Sequence, residues 1–522
     1  MLIRGPHADV EIPEVSLPRF VLKDFAALAD QPAIIDGPSG RALSFAQVST
    51  GVRRMAMGLT RRGFVKGEVF AIYCPNVPEY AIAFLAVASV GGVVSTMNPL
   101  STATEIAGQL RETGAKYLLT VPPFVERARE AARGSQVREV FVFGEAPGAT
   151  PFAELLKEDG VPPEVAIDPR NDLLVLPYSS GTSGLPKGVM LTHYNLVAQL
   201  CQGDGMYRRG DADVSIAVLP FFHIFGMTLV LLLGLKRGNT LISMPRFELE
   251  QFLQCLQKYA VTHAYLVPPI VLALAKHPLI DQYDLSRLKH IGCGAAPLAE
   301  NIERACAKRL DCEVGQGFGM TEVSGAAIVN PEGAITHGSV GRCLPNMQAR
   351  IVDIDTGQDA APGEPGELWL RGPNVMRGYF KQAEATAQVL DADGWLRTGD
   401  VARVDADGCF YIIDRVKELI KYKAWQVAPA ELEAVLVSHR AVADAAVIPS
   451  PDEECGEVPK ALVVLKGAAT AEELMAYVAE RVAPYKKVRR LAIVEAIPRS
   501  LSGKILRRVL VEQERMNASA TS

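Results

Sequence analysis

The sequence predicts an α/β protein in two unequal parts, a large multi-layered N-terminal domain and a small α+β domain behind it. Three observations lead there. Residues 30 to 180, and again Leu256 to Leu310, alternate short apolar runs with stretches of helical periodicity, the pattern of parallel sheets covered by helices. Near Ile351 the texture changes to short strands punctuated by Gly363, Pro365 and Gly366. From Leu419 onward a separate small unit begins, and 522 residues are ample for two domains with a large core.

Taken in order, Phe70 to Tyr73 reads as a strand, Glu79 to Val90 as a buried helix and Gly91 to Met97 as a second strand. Glu105 to Gly114 is a polar-faced helix leading to the strand Lys116 to Val121, and the apolar run Leu173 to Pro177 is a further strand. Thr192 suits the N-cap of a helix running through Leu200. Asp407-Gly408, between Val401–Val404 and Cys409–Ile413, predicts a hairpin with a tight primed turn. In the C-terminal unit a helix is expected near Glu431 to Ser438 and strands near Ala445–Ile448 and Ala461–Leu465. Thr470 and Glu473 form a capping box for a helix through Arg481. The domain boundary falls near Asp414 to Lys417, between residues 1–414 and 418–522.

Composition narrows the class. Apolar residues make up 49% and charged residues 22%, ordinary for a globular enzyme. The formal charge of −5, with no basic block, argues against nucleic acid as a partner. Nine scattered cysteines without a C-x-x-C pair suit reduced thiols in the cytoplasm. The eight histidines show no zinc-ligand spacing. Two uncharged runs, Ala81 to Thr104 and Val214 to Leu235, are interrupted by Gly91-Gly92 and Asn98-Pro99 or by Pro220 and His223; they fit core elements better than membrane spans.

The chemistry concentrates in short motifs. Seven of the ten residues in Ser179-Ser180-Gly181-Thr182-Ser183-Gly184-Leu185-Pro186-Lys187-Gly188 are Gly, Ser or Thr. Inward N–H groups, hydroxyls and one lysine are what a polyphosphate needs, although the same composition suits a surface loop. The usual nucleotide motif requires Gly-Lys-Ser/Thr, and here Lys187 precedes Gly188. His223 lies among aromatics in Pro220-Phe221-Phe222-His223-Ile224-Phe225-Gly226, as either a satisfied core residue or a neighbour of a carboxylate. Gly292-Cys293-Gly294-Ala295-Ala296-Pro297 admits a flat ring or acyl chain close to the backbone, or is simply a tight turn.

Gln316-Gly317-Phe318-Gly319-Met320-Thr321-Glu322 combines an open ring face for stacking, a hydroxyl and a hard oxygen ligand suited to Mg²⁺. Asp400, after the turn Gly394 to Gly399, can accept two hydrogen bonds from a ribose, or cap its turn. Arg415, Lys417 and Lys421 form a basic cluster at the domain junction that also fits a solvated face. Lys504, on the turn Pro498-Arg499-Ser500-Leu501-Ser502-Gly503, is a point charge able to swing into a site.

Together and in this order, these motifs resemble the adenylate-forming superfamily of acyl-CoA synthetases, 4-coumarate:CoA ligases, beetle luciferases and peptide-synthetase adenylation domains. The resemblance runs from about residue 20 to about residue 510 and is strongest to the 4-coumarate:CoA ligase and fatty acyl-CoA synthetase branch. It implies a small β-barrel-like subdomain in the N-terminal part. It also implies that ATP and a carboxylic acid give an acyl-adenylate and pyrophosphate, after which the C-terminal domain turns and CoA displaces AMP. Carried over by motif, Ser179 to Lys187 would hold the β- and γ-phosphates, Thr321 would meet the α-phosphate and Glu322 would bind Mg²⁺. Phe318 would stack on adenine within a nucleotide-binding set that also takes Gln316, Gly317, Gly319, Met320, Gly294 to Pro297 and Ile412. Asp400 and Arg415 would hold the ribose and His223 would border the acyl carboxylate. Lys504 would bridge carboxylate and α-phosphate in the first step, Lys417 would be the hinge, and Lys421 and Gln426 would serve the second-step arrangement.

Three departures bear on the acid. Phe225 stands where plant 4-coumarate enzymes have a tyrosine, and Gly292 where they often carry a lysine, so the acyl pocket is less polar. Ala424 replaces a glycine on the pantetheine path and would narrow it by one methyl. The acid expected is therefore hydrophobic, either a hydroxycinnamate-like aryl acid or a medium-chain fatty acid. A luciferase-like oxygenase and a carrier-loading ligase are the alternatives, and the protein is expected to be a cytoplasmic monomer or homodimer with no transmembrane segment.

Overall fold

The computed structural model describes residues 2–179, 186–206, 213–423, 425–452, 454–500 and 503–521, with 515 and 517–521 described by backbone alone. The first large sheet has seven strands. Its centre, Val69–Tyr73, is buried at all five positions and pairs in parallel with Val93–Thr96 on one side and Tyr117–Thr120 on the other. Such a continuous apolar strand needs cover on both faces. Part of that cover is helical: Tyr80–Ser89 is apolar all round and buried on nearly every side, the signature of a core helix. Leu173–Leu176 continues the sheet in parallel and leads directly to Tyr178–Ser179, which forms a two-residue antiparallel pair with Lys187–Gly188.

The second sheet has nine strands. Val214–Ala217, His263–Leu266, His290–Cys293 and Glu313–Met320 run parallel in its middle, and Gly325–Val329 returns antiparallel on the last of them. The motif segments around His223, Gly294 and Thr321 all follow the carboxyl ends of these strands, the edge at which open α/β sheets bind ligands. The segment after His223 forms a π-helix over Gly226–Leu232, for which the sequence carries no signal.

Where a barrel-like subdomain was expected, Gln348–Val352, Gly366–Arg371, Leu396–Val404 and Phe410–Arg415 form an antiparallel sheet of five strands with Ile3–Arg4 at its edge. The hairpin at Asp407-Gly408 forms, but its turn is not a primed two-residue turn. The loop spans 405–409, Gly408 N–H donates to Asp405 O, and Gly408 (φ 78°) takes the left-handed conformation that Asp407 does not share.

The C-terminal unit packs Pro429–Ser438, Ala471–Ala479 and the final helix Arg507–Thr521 around a five-stranded sheet. Val442–Asp452 and Gly456–Leu465 are longer than expected because pairing continues through Pro449, Pro451 and Pro459. Thr470 and Glu473 make the anticipated capping box, as do Thr192 and Asn195 at His193–Asp204. The final helix starts three residues beyond Lys504, so that lysine lies on the preceding turn. All nine cysteines are free thiols, and Cys293 is buried beside Cys306 and Glu303 with its thiol pushed up by burial and by those neighbours. Among the described residues no helix is long and apolar enough to cross a membrane.

Candidate active site

Glu322 is the node of one wall of the candidate site. It sits on the single 3-10 turn Thr321–Val323, directly after the strand Glu313–Met320, and is buried. Its Oε1 accepts hydrogen bonds from Ser179 Oγ at 2.8 Å and from the Tyr379 hydroxyl at 2.9 Å. Lys187 Nζ lies 4.8 Å from the centre of the Tyr379 ring, and Ser179 and Lys187 are directly paired across their short antiparallel ribbon. One carboxylate therefore gathers both ends of the Ser/Gly motif and a tyrosine 57 residues downstream. Burial and the Glu322 charge push the Tyr379 hydroxyl well above its ordinary range, which keeps it a donor. Ser180, Gly181, Thr182, Ser183 and Gly184 lie outside the described residues.

The ring face and the turn are set by a bulge. The pairing of Glu313–Met320 with Gly325–Val329 slips between Phe318 and Gly319. A Cβ on Gly319 would sit 1.9 Å from Gly325 O, so only glycine permits that crossing. Phe318 and Met320 remain half-buried and Gly317 faces the neighbouring strand. The Gln316 side chain turns the other way: its Oε1 accepts from Leu298 N–H at 2.9 Å and its Nε2 donates to Glu303 at 2.7 Å. It thereby anchors the end of the loop carrying Gly294, Ala295, Ala296 and Pro297, where Ala295 is held at φ 72°.

Asp400 and Arg415 face each other in register on neighbouring strands, with Arg415 Nε 3.3 Å from Asp400 Oδ1. Burial raises the Asp400 carboxyl although Arg415 and Lys504 oppose the shift. Ile412, on the same strand, is half-buried.

The apolar end lies below His223. His223 Nδ1 accepts from Phe225 N–H at 3.3 Å, so the ring is the neutral tautomer with its proton on Nε2. Burial, reinforced by the positive charge of Lys504, pushes its pKa down to about 4. Phe225 meets Tyr265 edge to face with ring centroids 6.3 Å apart. Cβ atoms added at Gly294 and Gly292 would come within 3.1 Å of Phe225 and Tyr265 respectively, so the two glycines leave just enough room for these rings.

Lys504 closes the assembly from the C-terminal side. Its turn is tied by Gly503 N–H to Ser500 O at 2.9 Å and by Arg499 Nη1 to Gly503 O at 2.8 Å, while Arg499 also grips Asp444. Gly503 (φ 78°) packs on Val267 and Pro269 of the N-terminal part. The ammonium pKa falls through burial and the nearby Arg415, while Asp400, Glu322 and Glu418 oppose the shift. Lys504, Asp400, Arg415, Glu322 and His223 are thus within electrostatic reach of one another.

Lys421 and Gln426 are not part of this cluster. They pair with each other on the hairpin Ile420–Tyr422 and Trp425–Val427, and both are exposed. Lys417 is exposed in the connecting turn, and Ala424 lies outside the described residues.

A family model described as AMP-binding enzyme matches residues 23–380, and the AMP-binding enzyme C-terminal domain matches residues 431–504. The chain belongs to the AMP-binding enzyme family. Among its relatives, "4-coumarate--CoA ligase 5" of Oryza sativa subsp. japonica is 43% identical over 98% of this chain and 96% of its own. A 4-coumarate--CoA ligase of Pinus taeda is 41% identical over 98% and 97%. Among solved structures, an anthranilate CoA ligase in complex with anthranoyl-AMP superposes with a TM-score of 0.90 at 26% identity, covering 98% of this chain and 99% of that one. ATP-bound MatB of Rhodopseudomonas palustris gives 0.85 at 27%, covering 96% and 99%.

The protein is an AMP-forming acid–thiol ligase that uses ATP, Mg²⁺ and CoA and passes through an acyl-adenylate. Neither an oxygenase nor a carrier-loading enzyme is favoured by these relatives. The candidate site also draws on side chains that the motifs did not disclose. Tyr379 follows Gly378 in Arg377-Gly378-Tyr379, Tyr265 lies on the buried strand His263–Leu266, and Glu303, on a helix, holds Gln316; each comes from a distant part of the chain.

Proposed function

We propose that this ligase activates a flat, weakly polar aryl acid of the hydroxycinnamate type. The observation behind this is the apolar lining beside His223: Phe225 and Tyr265 meet edge to face and pack on the bare backbone of Gly294 and Gly292. A planar acid lying along these rings has its carboxylate towards His223. Phe225 supplies no hydroxyl, so a para-phenol is tolerated rather than required.

In this reading residues 1–414 bind all three substrates, 415–417 is the hinge around Lys417, and 418–522 turns between the two steps. Two anions must meet in the first step, so the protein has to offset their charge. The Lys504 ammonium bridges the acid's carboxylate and the α-phosphate, and the Thr321 hydroxyl donates to the same phosphate. The carboxylate oxygen bonds to the α-phosphorus while the bond to the β,γ-diphosphate breaks, and pyrophosphate leaves along Ser179–Lys187. Glu322 fits Mg²⁺: it is a single buried carboxylate with no ion pair among the described residues, and this cation commonly takes one or two carboxylates plus phosphates. When bound, the ion neutralises phosphate charge. Phe318 faces adenine, flanked by Gly317, Gly319 and Met320 and by Gly294 to Pro297. Asp400 and Arg415 take the ribose beside Ile412, and Gln316 acts by holding Leu298. Neutral His223 donates from Nε2 to the acyl carboxylate. In the second step Lys421 and Gln426 replace Lys504, and the CoA sulfur displaces AMP from the acyl carbon. We further infer a cytoplasmic monomer or homodimer without nucleic-acid partners, in keeping with its acidic charge.

CoA-dependent AMP release from a panel of acids tests the substrate. Cinnamate and 4-coumarate should exceed octanoate and decanoate in kcat/KM by about tenfold or more. Preference for a fatty acid, an amino acid or a hydroxy acid overturns the aryl assignment.

A further inference from the structure

Glu303, on the helix Glu300–Leu310, is a carboxylate with no accessible surface, and no step of the reaction uses it. A charge so placed persists only where donors compensate for lost water. It has three: Gln316 Nε2 at 2.7 Å, His337 Nδ1 at 2.9 Å and Gly338 N–H at 3.0 Å. Of these, the half-buried His337 is the one that can carry a positive charge.

The first bond decides a geometry elsewhere. An amide that gives its NH₂ to Glu303 must turn its oxygen to the opposite side, and there Gln316 Oε1 receives Leu298 N–H at 2.9 Å. Leu298 ends the loop Gly294 to Pro297, which is fixed at its other end by Gly294 N–H to Leu266 O at 3.2 Å. Between these anchors Ala295 is kept at φ 72°, a conformation an alanine leaves when its ends are released. The Gln316 backbone is held independently, its carbonyl accepting from both Asn330 N–H and Asn330 Nδ2. The orientation of its amide is thus the adjustable part.

We propose that Glu303 and His337 are positioning residues for the adenylation step: through Gln316 they set the loop 294–298 against the strand 316–319, and so the width of the cleft that takes the nucleotide base and the acid. This rests on the reading of that cleft as the substrate site.

The experiment measures AMP affinity by calorimetry and steady-state kcat and KM for ATP and acid, alongside thermal melting, on the full-length protein. E303Q keeps the shape but removes the charge and turns one of the two oxygens into an NH₂, which faces either His337 or both Gln316 and Gly338. It should weaken AMP and raise the ATP KM by about tenfold, the size of one charge-assisted bond, with kcat changed less than threefold. H337A should give a smaller change of about threefold. The deciding variant is the exchange E303Q/Q316E, in which the amide now at position 303 donates, and the carboxylate now at position 316 accepts both from it and from Leu298 N–H. It should return AMP affinity to within about threefold of the native protein. Unchanged AMP affinity and ATP KM in folded E303Q overturn the proposal. So does a double variant that folds and still fails to recover affinity. If E303Q does not fold, H337A and the exchange decide by the same criteria. A native protein that binds no AMP and adenylates no acid would instead sink the reading of the cleft.

Discussion

The wall that carries Glu322 and the turn that carries Lys504 contribute neighbouring charges, yet they are built in unlike ways. Glu322 is buried on a turn that continues a nine-stranded sheet, and two hydroxyls from other segments share one of its oxygens. Lys504 stands on an irregular turn of the smaller unit, held by a few local hydrogen bonds and by Gly503 resting on Val267 and Pro269. In the proposed function Lys504 leaves after the first step while Glu322 stays in place, and a group that leaves is best carried on a small contact. The difference reads as a division of labour between a permanent half-site and a removable one.

The largest expected effect tests that division directly. Lys504→Ala should slow adenylate formation, followed as ATP–pyrophosphate exchange, by on the order of 10²–10³. Thioester formation from supplied acyl-adenylate should stay within about threefold; equal loss in both steps would make Lys504 part of the permanent half. Next comes acid. His193 is fully buried with Nδ1 accepting from Leu17 N–H, and burial pushes its pKa from 6.5 down to about 4. The unfolded chain therefore binds the extra proton first, and stability falls as pH drops from about 6.5 to about 4. The loss is on the order of 3 kcal/mol for this residue. Thermal melts across that window should show it, and His193→Gln, which can still accept from Leu17, should reduce the slope by its share, the rest coming from His223 and His290, which burial also pushes down. A native curve with no slope there would remove the rigidity claimed for the N-terminal half.

Gly503→Ala is the finer probe of the removable contact. It forces alanine to φ 78° and brings its methyl 3.2 Å from Val267, so adenylation should fall about tenfold, more than the accompanying small fall in melting temperature would explain. Smallest is Lys421→Ala, which should depress the thioester step about fivefold and leave ATP–pyrophosphate exchange intact, because Lys421 is exposed and away from the assembled cluster.

How far the sequence disclosed these features depended on whether the signal was local. Val69–Tyr73, Tyr80–Ser89, the N-cap at Thr192 and the capping box at Thr470 follow from neighbouring residues, and each was legible. So was Glu322 with Thr321, because a glycine-flanked aromatic before an acid is a compact pattern. Tyr379 and Glu303 were not. Their importance arises from contacts across 57 and 13 residues that only the assembled sheets create. Gln316 shows the boundary within a single motif: its place was evident, but which neighbours its amide would choose was not. The turn at Asp407-Gly408 failed for a related reason, since the dipeptide permits several loop lengths and the register of the flanking strands selected the longer one.

Cys293 has a consequence for chemoselectivity. An acyl-adenylate is a mixed anhydride, ready to acylate whichever thiolate reaches it first, and the strand that the proposed function sets beside the acid carries a cysteine between Gly292 and Gly294. Its side chain is buried on the side of Cys306 and Glu303, and its thiol is pushed far above the range in which it would ionise. The same alternation that sets the two glycines against Tyr265 and Phe225 turns the sulfur to the opposite side. The enzyme thereby withholds its own nucleophile, and the activated acid waits for the thiol of CoA.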